Sequence, residues 1–122
     1  MDFDAKELSI SLEDSEEVIS SLLKALEEHK VKQCSFASVS GKITDFDLRV
    51  FQGGMFQKKH FDEPYKIVTI AGNVKLKQGS GYVVHLILGG ANLSNTKQVS
   101  GELEKGYTSG ELTIRAKITE IL

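Results

Sequence analysis

Residues 8–26 read Leu-Ser-Ile-Ser-Leu-Glu-Asp-Ser-Glu-Glu-Val-Ile-Ser-Ser-Leu-Leu-Lys-Ala-Leu, and the hydrophobic period changes inside this stretch. Leu8, Ile10 and Leu12 alternate with polar residues, the pattern of a strand with one buried face. From Val18 onward the apolar residues Val18, Ile19, Leu22, Leu23 and Leu26 return at helical spacing. Glu16, Glu17, Lys24, Glu27 and Glu28 fill the other positions. Asp14 or Ser15 is placed to cap this helix, and Asp14 with Glu17 has capping-box spacing. The acidic residues at its N-terminal end also suit the helix dipole.

Beyond Lys32 the sequence alternates between strand patterns and turn signals. Gln33 to Val39 reads as a strand ended by Ser40-Gly41, and Phe46, Leu48 and Val50 mark another. Gly53-Gly54 signals a turn before a strand over Met55 to Phe61, and Pro64 punctuates the next boundary. Tyr65 to Ala71 is dense in β-branched residues, with a bend or bulge expected at Gly72-Asn73 before Val74 and Leu76 continue. Gly79-Ser80-Gly81 predicts a turn. Tyr82 to Leu88 is apolar on both faces and predicts a central strand covered on both sides. Gly89-Gly90 through Asn95 reads as a loop, Thr96 to Leu103 as a weak strand and Gly106 to Gly110 as a turn. The chain closes on a clear alternation, with Leu112, Ile114, Ala116 and Ile118 inward. One helix against many strands predicts an α+β fold: a largely antiparallel central sheet or open barrel packed against one main helix. Without an internal repeat or linker, residues 1–122 are expected to form a single domain.

Bulk properties narrow the function. Hydrophobic residues make up 40% and charged residues 26%, near the values of folded soluble domains. A formal charge of −2 and a pI near 5.9 argue against bulk attraction to nucleic acid or anionic lipid. The single cysteine, Cys34, allows no internal disulfide and suits a reducing compartment. Met1 to Asp4 is acidic rather than basic and then apolar, unlike a signal peptide. No apolar run approaches the length of a membrane span. The expected location is the cytoplasm.

The sequence offers few chemical groups in suggestive places. His85 interrupts the apolar run of the predicted central strand, alternating with Val83 and Ile87. Imidazole is a common metal ligand and titrates near neutral pH; a buried, hydrogen-bonded histidine is the plainer alternative. Glu102, after Ser100-Gly101, offers a carboxylate to pair with His85 as ligand or acid/base partner, against the plainer reading of a solvated edge glutamate near Glu104. Cys34 reads as a small buried hydrophobe rather than a nucleophile. Lys58-Lys59-His60 and the pair Lys75 and Lys77 read as charged strand edges rather than phosphate contacts. The glycine pairs lack Walker or Rossmann spacing, and Cys-x-x-Cys, His-Glu-x-x-His and Gly-x-Ser-x-Gly are absent.

Three stretches together resemble the PPC (plants and prokaryotes conserved) domain family. Leu12-Glu13-Asp14-Ser15-Glu16-Glu17-Val18 is similar to the family's entry into its helix, with Ser15 where the family has glycine. Tyr65-Lys66-Ile67-Val68-Thr69-Ile70-Ala71-Gly72-Asn73-Val74 is similar to a strand ending in Leu-x-Gly-Asn-Ile. Gly81-Tyr82-Val83-Val84-His85-Leu86, Ser100-Gly101-Glu102-Leu103 and Glu111-Leu112-Thr113-Ile114 resemble, in order, His-x-His, Gly-Gly-His-Leu and a closing Glu-x-x-Ile strand. The resemblance implies an α+β subunit that assembles as a homotrimer. In plants such domains accompany a DNA-binding AT-hook and mediate association with partners. The family fold is also similar to that of acetolactate decarboxylase, a zinc enzyme with a histidine-rich site, which is analogy of fold only.

This sequence departs from the family pattern at the histidines. His85 matches the first histidine, but Ile87 stands at the second, Glu102 at the third and Ser100 at a glycine. The functional expectation is therefore a standalone homotrimeric module that binds a protein partner or small-molecule ligand around His85, Gly101 and Glu102, without intrinsic catalysis. The alternative is a metal-dependent enzyme in which His85 and Glu102 hold a metal, zinc being the cofactor to test. A DNA-associated regulator is a third reading. Direct DNA binding is disfavoured by the lack of an Arg-Gly-Arg-Pro core and by only two arginines, Arg49 and Arg115.

Overall fold

The structure, a computed structural model, describes residues 6–122; the acidic start Met1 to Asp4 lies outside the described residues. The first period change is realised as strand β1 (Lys6–Leu12) and helix α1 (Val18–Glu28). Val18, Leu22 and Leu26 lose all exposure on the helix's inner face, each burial contributing about 1.5–3 kcal/mol before the entropy cost of ordering. The cap lies later than expected. Glu17 is the N-cap, and its carboxylate accepts from the backbone N–H of Ile19 at 2.7 Å and of Ser20 at 3.3 Å. Asp14 is instead drawn away, accepting from the Gly110 N–H at 2.7 Å. Ser15 holds φ +63°, a left-handed conformation natural to the glycine it stands for. Its N–H donates to the Thr108 carbonyl, and the Thr108 side chain accepts from the Glu16 N–H at 3.0 Å, pinning the helix entry to the sheet.

Seven further strands follow: β2 (Val31–Ser40), β3 (Lys42–Gln52), β4 (Met55–Phe61), β5 (Tyr65–Lys77), β6 (Gly81–Asn92), β7 (Gln98–Thr108) and β8 (Leu112–Ile121). All paired neighbours run antiparallel, in the order β1-β8-β2-β5-β6-β7-β3-β4. Strands make up about 70% of the structure and the helix only 11 residues. The architecture is thus more sheet-dominated than an α+β fold organised around a main helix. The open-barrel expectation has a local counterpart. A short extra pairing, Lys42 with Lys66 and Ile43 with Tyr65, joins β3 to β5, so β5, β6, β7 and β3 form a closed circuit.

Three local readings are corrected. Strand β6 continues through Gly89-Gly90, where a loop was expected, because both glycines let the neighbouring strands come close. A Cβ on Gly90 would meet the Lys66 carbonyl at 2.8 Å. Strand β7 likewise runs through Gly106, whose missing side chain makes room for Phe46. The bulge in β5 falls at Val68, between the Ile67 and Thr69 pairings, and Gly72 keeps its register.

Strand β6 is central, yet it is covered on one face only. Leu86 and Leu88 enter the core while His85 and Ile87 face outward, Ile87 with 45% exposure. The physical reason is supply: α1 packs on one face, and no second helix exists among the described residues to cover the other. The inward alternation of Leu112, Ile114, Ala116 and Ile118 is as read.

Candidate functional site

The outward face of β3, β7 and β6 gathers the polar residues singled out above. Register places Arg49 opposite Glu102 and Glu102 opposite Ile87, with His85 two residues along β6 on the same face. The Glu102 carboxylate bridges its neighbours: Oε2 accepts from Arg49 Nη2 at 2.7 Å, and Oε1 lies 3.1 Å from His85 Nδ1. An ionised carboxylate only accepts, so Nδ1 carries the proton of this hydrogen bond. His85 is therefore not the buried histidine of the plainer reading; its side chain is 58% exposed, against 23% for Glu102. Partial burial pushes the Glu102 carboxyl upward, but hydrogen bonds from His85 and Arg49 outweigh it and hold the group below the ordinary carboxylate range.

Gly101 contributes space rather than a contact. A Cβ there would sit 2.9 Å from the Arg49 carbonyl and 3.3 Å from the Leu48 Cβ, so glycine allows β7 to lie close to β3 where Arg49 meets Glu102. Arg49 itself was not among the predicted site residues. Its guanidinium also lies 4.9 Å from the centre of the Phe56 ring, which meets Phe51 edge-on across the hairpin.

A zinc ion finds too few donors here within one chain. His85 and Glu102 supply two ligands, Arg49 already occupies one carboxylate oxygen, and the second position of the histidine pattern is the apolar Ile87. Zinc sites take at least three protein ligands.

A second polar cluster lies nearby and escaped the sequence reading, which treated His60 only as part of a charged edge. The two-residue turn Gly53-Gly54 sets Asp47 opposite His60. His60 Nδ1 lies 2.6 Å from Asp47, while Nε2 lies 2.7 Å from Asp62 and 3.1 Å from Asp45. With carboxylates at both nitrogens the ring is favoured as imidazolium, and the Asp47 hydrogen bond leads in raising its pKa above the ordinary histidine value. One ligand atom each from Asp45, His60 and Asp62 lie within 4.8 Å of one another, all on exposed residues. Lys58 extends the network, 3.6 Å from Asp47 and 3.8 Å from Glu104.

Cys34 is buried against β5, and burial pushes its thiol up to about 11, opposed in part by a hydrogen bond from the Val74 backbone. It is a core residue. The five described surface hollows are lined by neither His85 nor Glu102. Among the described residues, no helix is long and apolar enough to cross a membrane.

The model of the Plants and Prokaryotes Conserved (PCC) domain matches residues 4–119. A plant- and prokaryote-conserved protein of Pyrococcus horikoshii is 15% identical, with 97% of this chain matched to 82% of that one at a TM-score of 0.80. A metal-containing protein of Archaeoglobus fulgidus is 18% identical over 96% of this chain and 82% of its own, with a TM-score of 0.79. A protein of Bacteroides thetaiotaomicron, named as a candidate DNA-binding protein, is 18% identical over 96% and 84%, again at 0.79. No protein of curated function matches. At these identities the likeness speaks for the fold.

Proposed function

This chain belongs to the Plants and Prokaryotes Conserved domain family, and on that premise we propose that it is a single-domain, cytoplasmic, homotrimeric module. Its outward sheet face recognises a protein partner or small ligand, and it carries out no chemistry of its own. The observation that carries this reading is the composition of that face. An ordered row, Arg49–Glu102–His85, stands beside exposed Ile87, with exposed Val68, Phe51, Met55 and Phe56 elsewhere on the surface. Apolar side chains beside fixed polar groups make a recognition surface. Gly101 serves it by letting the strands under Arg49 and Glu102 approach.

Two alternatives have distinct signatures. Metal-dependent catalysis at His85 and Glu102 is supported only by their adjacency and has the donor shortage described above. Direct DNA binding has less support, since Arg49 is engaged by Glu102 and the net charge is −2.

Light scattering on the purified chain tests the proposal. The expected mass is three times 13.4 kDa, unchanged by His85→Ala. A monomer at micromolar concentration would refute the trimer. Stoichiometric zinc lost on His85→Ala would favour the enzyme reading, and salt-sensitive retardation of an AT-rich duplex the DNA reading.

A further inference from the structure

A groove beside the stretch of β7 that runs beyond its β3 pairing is not explained by the recognition face. Strand alternation places Val50 with Leu48, Lys59 opposite Leu48, and Val99 two residues before Gly101, all toward the core side. Val50, Phe61 and Val99 are partly buried apolar residues at the margin of the core. Together with Lys59, Lys97, Gln98 and Ser100 they line a groove of about 250 Å³. It adjoins a hollow of about 300 Å³ through the shared residues Gln98, Val99 and Ser100.

The two lysines give this groove its character. Lys32, Arg49 and Lys58 each have a carboxylate within 4.0 Å, but among the described residues neither Lys59 nor Lys97 forms such an ion pair. Glu63, a carboxylate of the hollow beyond Lys97, accepts instead from Asn92 Nδ2 at 2.7 Å. An inward-pointing lysine on an edge strand also discourages strand-to-strand aggregation, which accounts for Lys59. It does not account for Lys97, which enters from the turn before β7, its N–H held by the Asn95 side chain at 2.9 Å. Two lysines from separate elements therefore line one partly apolar groove.

We propose that this groove binds a small amphipathic anion: a carboxylate carried on a compact apolar or aromatic body. The carboxylate would take charge-assisted hydrogen bonds from Lys59 and Lys97, while the body covers Phe61, Val50 and Val99. The volume, just below the usual range for ligand pockets, restricts the body to about one substituted ring. This inference stands apart from the outward face, and neither the trimer nor its partner enters it.

Phenylacetate and its neutral isostere phenylacetamide are suitable probes, followed by amide NMR shifts on the full chain. Phenylacetate is expected to shift the amides of Val50, Phe61, Lys97 and Val99 saturably in the millimolar range or tighter, and phenylacetamide to bind at least about tenfold more weakly, about 1.4 kcal/mol. The double variant K59Q/K97Q is expected to lose that same margin for phenylacetate and to leave phenylacetamide unchanged. Equal affinity for acid and amide would overturn the proposal, as would shifts centred on Phe51 and Phe56 or no saturable shift at all. The acid–amide comparison uses the unaltered protein and holds even if the double variant fails to fold.

Discussion

Replacing Gly72 with alanine probes how closely β5 approaches the strand that carries His85. Gly72 has φ +110°, where a side chain is strained whatever the space, and such backbone costs of order 1–3 kcal/mol. Space is lacking too. The new Cβ would lie 1.8 Å from the His85 carbonyl oxygen and 2.8 Å from its carbon, both backbone atoms, so the strands must part until the contact exceeds 3.0 Å. Parting them breaks or stretches one or two ladder hydrogen bonds at about 0.5–1.5 kcal/mol each. The expected loss is about 3–5 kcal/mol, a large share of the 5–15 kcal/mol typical of a domain. Urea unfolding at fixed protein concentration measures it. Gly54→Ala is the control: φ is +80° there, but nothing lies within 4 Å of the new Cβ, so only the conformational part, about 1 kcal/mol, is expected. Equal losses for the two variants, or a Gly72→Ala protein within about 1 kcal/mol of the parent, would refute the close approach argued here.

Two further outcomes concern the charged networks. The Glu102 carboxyl titrates low because His85 and Arg49 outweigh its partial burial; Arg49→Ala should move its NMR-detected pKa upward, and an unmoved value would show that the 2.7 Å pair does not persist in solution. The His60 cluster should contribute stability over a limited pH window. His60 is raised, so its share is complete below about 6.5 and lost as pH rises through the raised value; Asp47 is lowered, chiefly by its His60 hydrogen bond, so its share is complete above about 3.8 and lost as pH falls through the lowered value. Stability against pH for His60→Gln should therefore differ in shape from the parent at both ends of that window, and parallel curves would count against the pairing.

Much of this architecture could be read from local pattern. The change of period at Val18 located the helix, and the alternation from Leu112 to Ile118 named the inward residues correctly. Even the Asp47–His60 contact was within reach, because a two-residue turn at Gly53-Gly54 dictates every pair across β3 and β4. What local pattern could not supply was long-range register. Arg49 meets Glu102 across strands distant in sequence, after a register shift near Asp47, and no spacing rule encodes that. The same gap misled the reading of β6. Its run of apolar residues suggested cover on both faces, whereas whether cover exists depends on elements elsewhere in the chain. Gly89-Gly90 reads as a loop and Gly106 as a turn because glycine punctuates sequence so often, yet here they are points of close strand approach.

The circuit of β5, β6, β7 and β3 has a bearing on how the chain acquires its structure. Ile43 pairs with Tyr65 on one side and with Thr108 on the other. During synthesis the hairpins β3–β4 and β5–β6 can each form as soon as they emerge, and Ile43 can find Tyr65 early. The circuit itself waits for β7, whose far end at Thr108 also receives the entry of α1. The last of the four strands to be made thus completes two unions at once, joining the earliest helix and the earlier sheet in one late, high-contact-order step.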